Sequence, residues 1–362
     1  MTDQTISAPQ TAVYTRRPRS DNEVAYLEVS DLQVQFPTAD GLVKAVQGLS
    51  YSLPLRRTLA IVGESGSGKS VSSMAIMGLH DRRTARISGS IKVGGEQIVG
   101  MGQKELESFR GAGAAMIFQD PQSSLHPYFT VGNQIVESYR AHHSVSKRQA
   151  KERAVDMLGR VGIPNPGRRV DNFPHEFSGG MRQRAMIAMA LVNDPKLLIA
   201  DEPTTALDVT VQAQILDLIA DLQRDFGSAV VFITHDLGVV AEIADDILVM
   251  YAGNAVEHGP VEKILGSPQH PYTWGLLESI PALTGEPQPL HPIPGTPPSL
   301  LAVPGGCAFH PRCEFRTLVP DDLCRTLRPD LVPRTADPRR ASRCHLKDPN
   351  GIFESEVLPR LP

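Results

Sequence analysis

The chain has 362 residues, of which 41% are hydrophobic and 21% charged, and its formal net charge is −4. This composition is ordinary for a globular protein, and the length is enough for one large or two modest domains. The small negative charge provides no basic excess for a polyanion and therefore disfavours a nucleic-acid partner. The longest purely apolar run, Ala185–Val192, is far shorter than the roughly 20 residues of a membrane-spanning helix.

The first segment, residues 1–24, is rich in Ser, Thr, Pro, Gln and Arg and has no periodicity, which predicts a disordered tail. Its arginines Arg16, Arg17 and Arg19 are not followed by an apolar stretch, so no secretory signal is predicted. We therefore expect a cytoplasmic protein whose membrane role, if it has one, comes through a partner.

After the tail the pattern becomes that of a folded α/β domain. Tyr26–Leu55 predicts mainly antiparallel strands, and Thr58–Val62 is a compact apolar strand. Further buried strands are predicted over Lys196–Ala200 and Ala229–Thr234, whereas Val209–Arg224 has helical spacing of apolar residues. Strands alternating with helices predict a mainly parallel core sheet.

A glycine-rich loop follows the strand Thr58–Val62 and matches the pattern G-x-x-x-x-G-K-[ST]. Its residues are Gly63, Glu64, Ser65, Gly66, Ser67, Gly68, Lys69 and Ser70. Glycines let successive N–H groups face phosphate oxygens, and the next helix adds its positive end. Lys69 suits the β- and γ-phosphates and Ser70 suits Mg²⁺. The loop predicts a nucleotide site, although alone it fits kinases and GTPases as well as ATPases.

Two acids, Asp201 and Glu202, follow the apolar stretch Leu197–Ala200. A parallel strand carries such residues to the carboxyl edge of its sheet, where ligands bind. We expect Asp201 to hold Mg²⁺ through water and Glu202 to polarise the attacking water as a general base. A solvated turn before Pro203 is the alternative, and the phosphate loop upstream disfavours it.

The segment Phe177–Arg184 resembles the signature sequence of ABC ATPases, with Phe177 where Leu is usual. The resemblance implies that two nucleotide domains meet head to tail. Ser178, Gly179 and Gly180 of one domain would then close over the γ-phosphate of the ATP held by the other. Here they open a helix, whose N-terminus attracts anions.

Other family motifs occur in the expected order. Gln119 resembles the glutamine of the loop that contacts Mg²⁺ and the attacking water, and His235 resembles the switch histidine. The segment Thr205–Asp208 resembles the D-loop. Phe36 is expected to stack on adenine. A single Gln or His would more often be structural, but the ordered series favours function.

Three segments resemble those of oligopeptide and dipeptide importers, namely Gln119–Pro127, Pro268–Thr273 and Pro294–Pro298. The proline-rich stretch Ile280–Gly306 predicts an extended linker. The resemblance implies an ABC-type P-loop ATPase with an antiparallel N-terminal β-subdomain, an α-helical signature subdomain and a small Cys-containing extension. The predicted divisions are a tail over 1–24, a nucleotide-binding domain over 25–260, the C-terminal extension over 261–347 and a second tail over 348–362.

The resemblance further implies an ATP-hydrolysing subunit of a peptide importer at the cytoplasmic face of the cell membrane. Its expected partners are a second, non-identical ABC ATPase, two transmembrane permease subunits and an extracytoplasmic substrate-binding protein, with no nucleic acid. Relatives with this extension also carry nickel, glutathione or oligosaccharides, which remain alternatives. More remote alternatives are an ABC ATPase acting on DNA or ribosomes and a non-hydrolysing regulatory subunit, which would lack Glu202 or His235.

Four cysteines, Cys307, Cys313, Cys324 and Cys344, occur with the spacing C-x5-C-x10-C-x19-C. Zinc modules usually contain close C-x2-C pairs, which are missing here. Irregularly spaced thiolates suit a [4Fe–4S] cluster, and the resemblance implies one. Zinc and free thiols remain alternatives, and His310 or His345 could replace a ligand.

Overall fold

The computed structural model describes residues 23–205, 208–280, 291–334 and 337–361. Most of the predicted N-terminal tail lies outside these ranges, as do Ala206 and Leu207 of the predicted D-loop and residues 281–290 of the predicted linker. Within the described ranges, no helix combines the length and the apolar character needed to cross a bilayer.

The N-terminal part forms a four-stranded antiparallel sheet, as predicted. Its strands are β1 (Ala25–Thr38), β2 (Gly41–Pro54), β4 (Arg86–Val93) and β5 (Glu96–Gln97), in the spatial order β2-β1-β4-β5. Leu27, Val29, Leu32 and Val34 of β1 are buried while several of their neighbours are exposed. This pattern places one face of the sheet on the core.

The main sheet has eight strands in the order β11-β12-β10-β9-β3-β8-β7-β6. They are β3 (Thr58–Val62), β6 (Ala114–Ile117), β7 (Leu197–Asp201), β8 (Ala229–Thr234), β9 (Asp246–Tyr251), β10 (Asn254–Pro260), β11 (Val332–Pro333) and β12 (Ala341–Ser342). The strands from β9 to β6 are parallel and completely buried, and the other three pair antiparallel. The core sheet is thus mainly parallel, and β3 lies near its middle.

Helices surround the two sheets. They are α1 (Lys69–Ile76), α2 (Gln103–Phe109), α3 (Pro121–Ser124), α4 (Val131–Arg140), α5 (Lys147–Arg160), α6 (Pro166–Arg169), α7 (Gly179–Leu191), α8 (Val209–Phe226), α9 (Leu237–Ile243), α10 (Val261–Gly266), α11 (Pro271–Glu278), α12 (Leu323–Thr326) and α13 (Pro349–Ile352). Helices α4, α5 and α7 pack on one another through buried Ile135, Ala150, Met157 and Ala185. They form the predicted helical subdomain.

The C-terminal extension is joined to the main sheet, because its strand β12 pairs with β10. Glu257 of β10 strengthens the junction: its buried carboxylate accepts the backbone N–H groups of Gln269 and His270 at 2.6 and 3.2 Å. The extension is therefore tied to the nucleotide-binding domain by backbone pairing and by a buried acid.

The last residues correct one expectation. Residues 348–361, predicted to be a tail, form α13, a π-helical turn over Phe353–Val357 and a 3-10 turn. Phe353 and Val357 are buried in a cluster with Trp274 and Phe315 of the extension. The apolar residues of this segment are spaced so that they share one face of the turns, and burying that face outweighs the cost of ordering the chain end.

Candidate functional site

A cavity opens at the carboxyl edge of the parallel strands. It is lined by Glu64–Val71, Gln119, Glu202, His235, Pro297 and Leu300. The loop after β3, the acids at the end of β7, His235 after β8 and Gln119 after β6 all reach this edge, because parallel strands end on the same side of a sheet. Four separate stretches of sequence therefore meet in one place.

The phosphate loop requires glycine at two positions, because their φ angles are positive and because neighbouring backbone leaves no room for a Cβ atom. Gly63 and Gly68 have φ angles of +151° and +102°, and a Cβ atom added there would lie 2.2 Å from Met250 O and 2.4 Å from Ala45 O. No larger residue fits without displacing the backbone, so the loop is held close to both neighbouring segments. Among the described residues, the buried Ser67 hydroxyl has no hydrogen-bond partner, as expected of a cradle shaped for a polar ligand.

Lys69 is folded back onto its own loop. Its Nζ donates to Gly63 O at 2.7 Å and to Glu64 O at 3.0 Å. Burial lowers the pKa of Lys69, while Glu202, Asp201 and Glu64 oppose that shift. The ammonium group is thus placed at the loop with carbonyl partners that an incoming phosphate could replace.

Ser70 lines the cavity and pairs with Asp201, which is not itself among the lining residues. Ser70 Oγ donates to Asp201 Oδ1 at 3.1 Å. Burial raises the pKa of Asp201, although the Ser70 hydrogen bond and Lys69 act in the opposite direction. A hydroxyl beside a carboxylate supplies the hard oxygen ligands that Mg²⁺ prefers, so these two residues fit the ion.

Glu202 is the centre of a hydrogen-bonded group. Its Oε2 accepts from Gln119 Nε2 at 2.9 Å and from Thr205 Oγ1 at 3.0 Å, and its Oε1 lies 3.6 Å from His235 Nδ1. Its own N–H donates to Ile233 O at 2.9 Å. Glu202 also has φ of +46°, an unusual angle for a non-glycine residue. Such strain is typical of functional sites, where surrounding contacts fix the residue.

Thr205 was missed as a site residue by the sequence reasoning, which placed it only within the D-loop segment. Its hydroxyl orients the carboxylate from three residues away. A threonine that follows an acid at a strand end is the signal that could have identified it, because such hydroxyls form local turns.

The signature residues stand apart from this cavity. Ser178 caps α7 by accepting the Met181 N–H, and Ser178 and Gly179 are exposed. None of the three signature residues lines the cavity of its own chain. Helix α7 is nonetheless connected to the acids, since buried Gln183 donates to Pro203 O, next to Glu202, at 2.6 Å.

Two other predicted residues lie outside the cavity lining. Asp208 caps α8 and accepts the Val211 N–H at 2.9 Å. Phe36 packs edge-on against His80, with 5.5 Å between ring centroids, and is not among the lining residues. The structure therefore does not place Phe36 where the phosphate loop opens, and its stacking on adenine stays a prediction. Pro297 and Leu300 of the extension line the cavity instead, which the sequence did not indicate.

The four cysteines of the extension are free thiols. Cys324 and Cys344 are buried in one cluster, and Cys313 packs against it. The Cys307 N–H donates to Cys324 O at 2.8 Å. Burial raises the pKa of Cys324 to about 11 and that of Cys344 to about 12, and neighbouring thiols add to both shifts. The thiols therefore lie within one another's electrostatic field.

Their arrangement does not form a ready site for a single metal ion. Across the described ranges there is no group of three or more His, Cys, Asp or Glu side chains that could hold one. The histidines expected as substitute ligands are engaged elsewhere: His310 Nδ1 lies 2.9 Å from Cys307 O and His345 Nε2 lies 2.8 Å from Leu327 O. In the arrangement observed, the described residues therefore form no ready-made ligand set for zinc or for an iron–sulfur cluster.

Comparisons with known proteins agree with the geometry. The family model described as "ABC transporter" matches residues 46–205, and the one described as "Oligopeptide/dipeptide transporter, C-terminal region" matches residues 256–318. The chain is 55% identical over 292 residues to the oligopeptide transport ATP-binding protein OppD of Bacillus subtilis, which covers 80% of this chain and 81% of the relative. It is 51% identical over 308 residues to OppD of Salmonella typhimurium, with 85% and 90% covered.

Solved structures share the fold. The dimeric ATP-binding cassette MJ0796, in a post-hydrolysis state with ADP and Pi, matches with a TM-score of 0.59 at 24% identity and covers 65% of this chain and 98% of that one. CbiO1 of Clostridium perfringens, part of the ABC transporter complex CbiONQ, matches with a TM-score of 0.57 at 26% identity, covering 67% and 92%.

Proposed function

The chain belongs to the ABC transporter family, in its oligopeptide/dipeptide import branch, and from this premise we propose that it is the ATP-hydrolysing subunit of a peptide importer. The observation that carries the proposal is the convergence of Lys69, Gln119, Glu202 and His235 on one cavity, where Asp201 is hydrogen-bonded to Ser70 of the lining. The match of residues 256–318 to the C-terminal region of oligopeptide/dipeptide transporters supports the assignment of peptides as the transported substrate.

For hydrolysis, we assign each side chain a role that its contacts support. Lys69 would exchange its carbonyl partners for phosphate oxygens, and Ser70 and Asp201 would hold Mg²⁺, which neutralises phosphate charge when bound. Glu202 is the general base. Gln119 and Thr205 hydrogen-bond its Oε2, and its Oε1 is left to accept a proton from water.

A second ATPase subunit completes each site in this proposal. Ser178, Gly179 and Gly180 do not line their own cavity, and Ser178 and Gly179 are exposed at a helix N-terminus suited to anions. They would contact the γ-phosphate bound by the partner, and Asp208 would lie at the same junction. We propose that the partner is a non-identical homologue.

Permease subunits would dock beside the glutamine loop. Phe118, next to Gln119 in the chain, exposes 38% of its surface, and Tyr128 and Phe129, which both contact the ring of His126, expose 83% and 54%. Exposed aromatic side chains are typical of protein interaction surfaces. We propose that two transmembrane permeases cover these side chains, which places the subunit at the cytoplasmic face of the membrane, and that a substrate-binding protein delivers the peptide from the other side.

The cargo is tested with the complete transporter in vesicles, with permeases and binding protein supplied. Peptide-loaded binding protein should stimulate ATP hydrolysis and drive peptide uptake, and both should disappear in a complex carrying Glu202→Gln. Stimulation by nickel, glutathione or an oligosaccharide, with peptides inactive, would replace the peptide assignment while leaving the ATPase assignment intact.

We also propose that Cys307, Cys313, Cys324 and Cys344 bind a [4Fe–4S] cluster. The support is the family resemblance, together with the packing of Cys313, Cys324 and Cys344 in one cluster of the extension. No step of hydrolysis depends on the cluster. Protein purified without oxygen should be brown, with about four iron and four sulfide per chain; colourless protein containing one zinc would contradict the cluster.

A further inference from the structure

Side chains of the C-terminal extension contact the phosphate loop and hold it in place. Both carboxylate oxygens of Glu64 accept hydrogen bonds from Arg312 of the extension, with Nη1–Oε2 at 2.7 Å and Nη2–Oε1 at 3.0 Å. The backbone N–H of Glu64 donates to Tyr272 Oη at 2.8 Å. A bidentate guanidinium–carboxylate pair fixes orientation as well as position.

Arg312 is itself built into the extension. Its side chain is only 5% exposed, and its Nε donates to Pro294 O at 2.7 Å. The guanidinium lies 5.8 Å from the Tyr251 ring centroid and 6.0 Å from that of Phe309, within reach of cation–π attraction. Arg312 therefore has little freedom to move away from Glu64.

Glu64 in turn connects the extension to the phosphate-binding lysine. The carbonyl oxygen of Glu64 accepts a hydrogen bond from Lys69 Nζ at 3.0 Å, and Glu64 lines the ATP cavity. A carboxylate at this position would repel ATP phosphates if it were free, because like charges interact strongly in a partly buried site. Arg312 neutralises that carboxylate and fixes its orientation.

From these contacts we infer that Arg312 is a positioning residue for ATP: the C-terminal extension neutralises and orients Glu64 in the phosphate loop. This inference rests on ATP binding at the loop and is independent of the cargo. It gives the extension a role in the ATP site of its own chain.

The test measures ATP affinity and hydrolysis of the full chain with Mg²⁺. Arg312→Met should weaken ATP binding about tenfold, equivalent to about 1.4 kcal/mol, and raise KM while kcat changes little, since Arg312 forms no hydrogen bond with the described residues Glu202 or His235, which follow strands β7 and β8. Adding Glu64→Gln to Arg312→Met should recover most of the affinity, because the repelling carboxylate is gone. Arg316→Met, the same change at an exposed arginine of the same module, is the matched control and should bind ATP normally.

Fluorescence of Trp274, the only tryptophan and a buried one, reports whether the extension has folded in each variant. A folded Arg312→Met chain with unchanged ATP affinity would overturn the inference, as would a double variant no better than the single one. If Arg312→Met does not fold, Arg312→Gln tests the same point, because glutamine removes the charge but keeps hydrogen-bond donors; unchanged affinity would again be contrary. A wild-type chain that fails to bind ATP would refute the ATPase assignment instead.

Discussion

Residues at the carboxyl edge of the main sheet and residues of the C-terminal extension are brought to the ATP cavity in different ways. The catalytic side chains at the edge lie at the end of a parallel strand or in the loop after it, so the parallel sheet brings Lys69, Asp201 and His235 to one edge. Among its described residues, the extension places no such strand end at the cavity. Its contribution depends on Arg312 meeting Glu64 across 248 residues of chain.

This difference distinguishes the residues that would carry out hydrolysis from the residues that hold the phosphate loop in place. The edge holds the groups that would act on phosphate and water, whereas the extension holds the loop that positions the phosphate. Changes at the edge should therefore reduce the rate of hydrolysis, and changes in the extension should reduce stability or ATP affinity. The three predictions below test this division.

The largest effect is expected at the edge. Glu202→Gln should bind ATP but lose about 10²- to 10⁴-fold in hydrolysis rate, the usual contribution of a general base. Single-turnover hydrolysis together with equilibrium ATP binding measures the two effects separately. Glu242→Gln removes a nearby exposed carboxylate on α9 and is the control. Near-normal turnover in Glu202→Gln would remove Glu202 from this role.

A smaller effect, on stability alone, is expected where the last residues pack on the extension. Phe353 is 1% exposed and its ring centroid lies 6.1 Å from that of Trp274. Phe353→Ala should lower the free energy of unfolding by about 3–5 kcal/mol. The measurement is denaturant unfolding monitored by Trp274 fluorescence.

The matched control for that variant is Leu358→Ala, at a side chain that is 49% exposed. It should change the free energy of unfolding by no more than about 0.5 kcal/mol. Equal, small losses in both variants would mean that residues 348–361 behave as a tail. A fall in kcat of folded Phe353→Ala would break the division between chemistry and support.

The smallest expected effect is on the pH dependence of the unfolding free energy, and it comes from a buried histidine in the extension. His270 is completely buried, burial lowers its pKa to about 3, and its Nδ1 accepts the Tyr272 N–H at 3.0 Å to cap α11. In the unfolded chain a histidine binds a proton below about pH 6.5. Because the unfolded state then binds more protons, His270 contributes stability above pH 6.5 that is lost as the pH falls toward 3.

Glu257 acts in the opposite direction, since burial raises its pKa to about 7. Glu257 is protonated in both states below about pH 4.5, so the useful window is pH 3 to 4.5. There, His270→Asn, which keeps a capping oxygen, should reduce the slope of unfolding free energy against pH by up to about 1.4 kcal/mol per pH unit. An unchanged slope would show that His270 titrates normally.

Much of the fold was predictable because its signals are local. The strands Thr58–Val62 and Ala229–Thr234 have the predicted bounds, and Val209–Phe226 extends the predicted helix by two residues at its C-terminus. Two features were not predictable. Residues 348–361 needed Trp274 as a packing partner, and Phe36 finds a partner in His80, which no short-range pattern indicates.

The sequence by itself determined the phosphate loop, the paired acids and the family, because those signals lie within runs of a few residues whose chemistry does not depend on distant contacts. Only the tertiary structure decided what surrounds Glu202 and Glu64. Gln119 is 83 residues from Glu202, and Arg312 is 248 residues from Glu64. The physical reason is that a hydrogen bond requires its two groups to lie about 3 Å apart, and only the folded chain brings groups so distant in sequence to that separation.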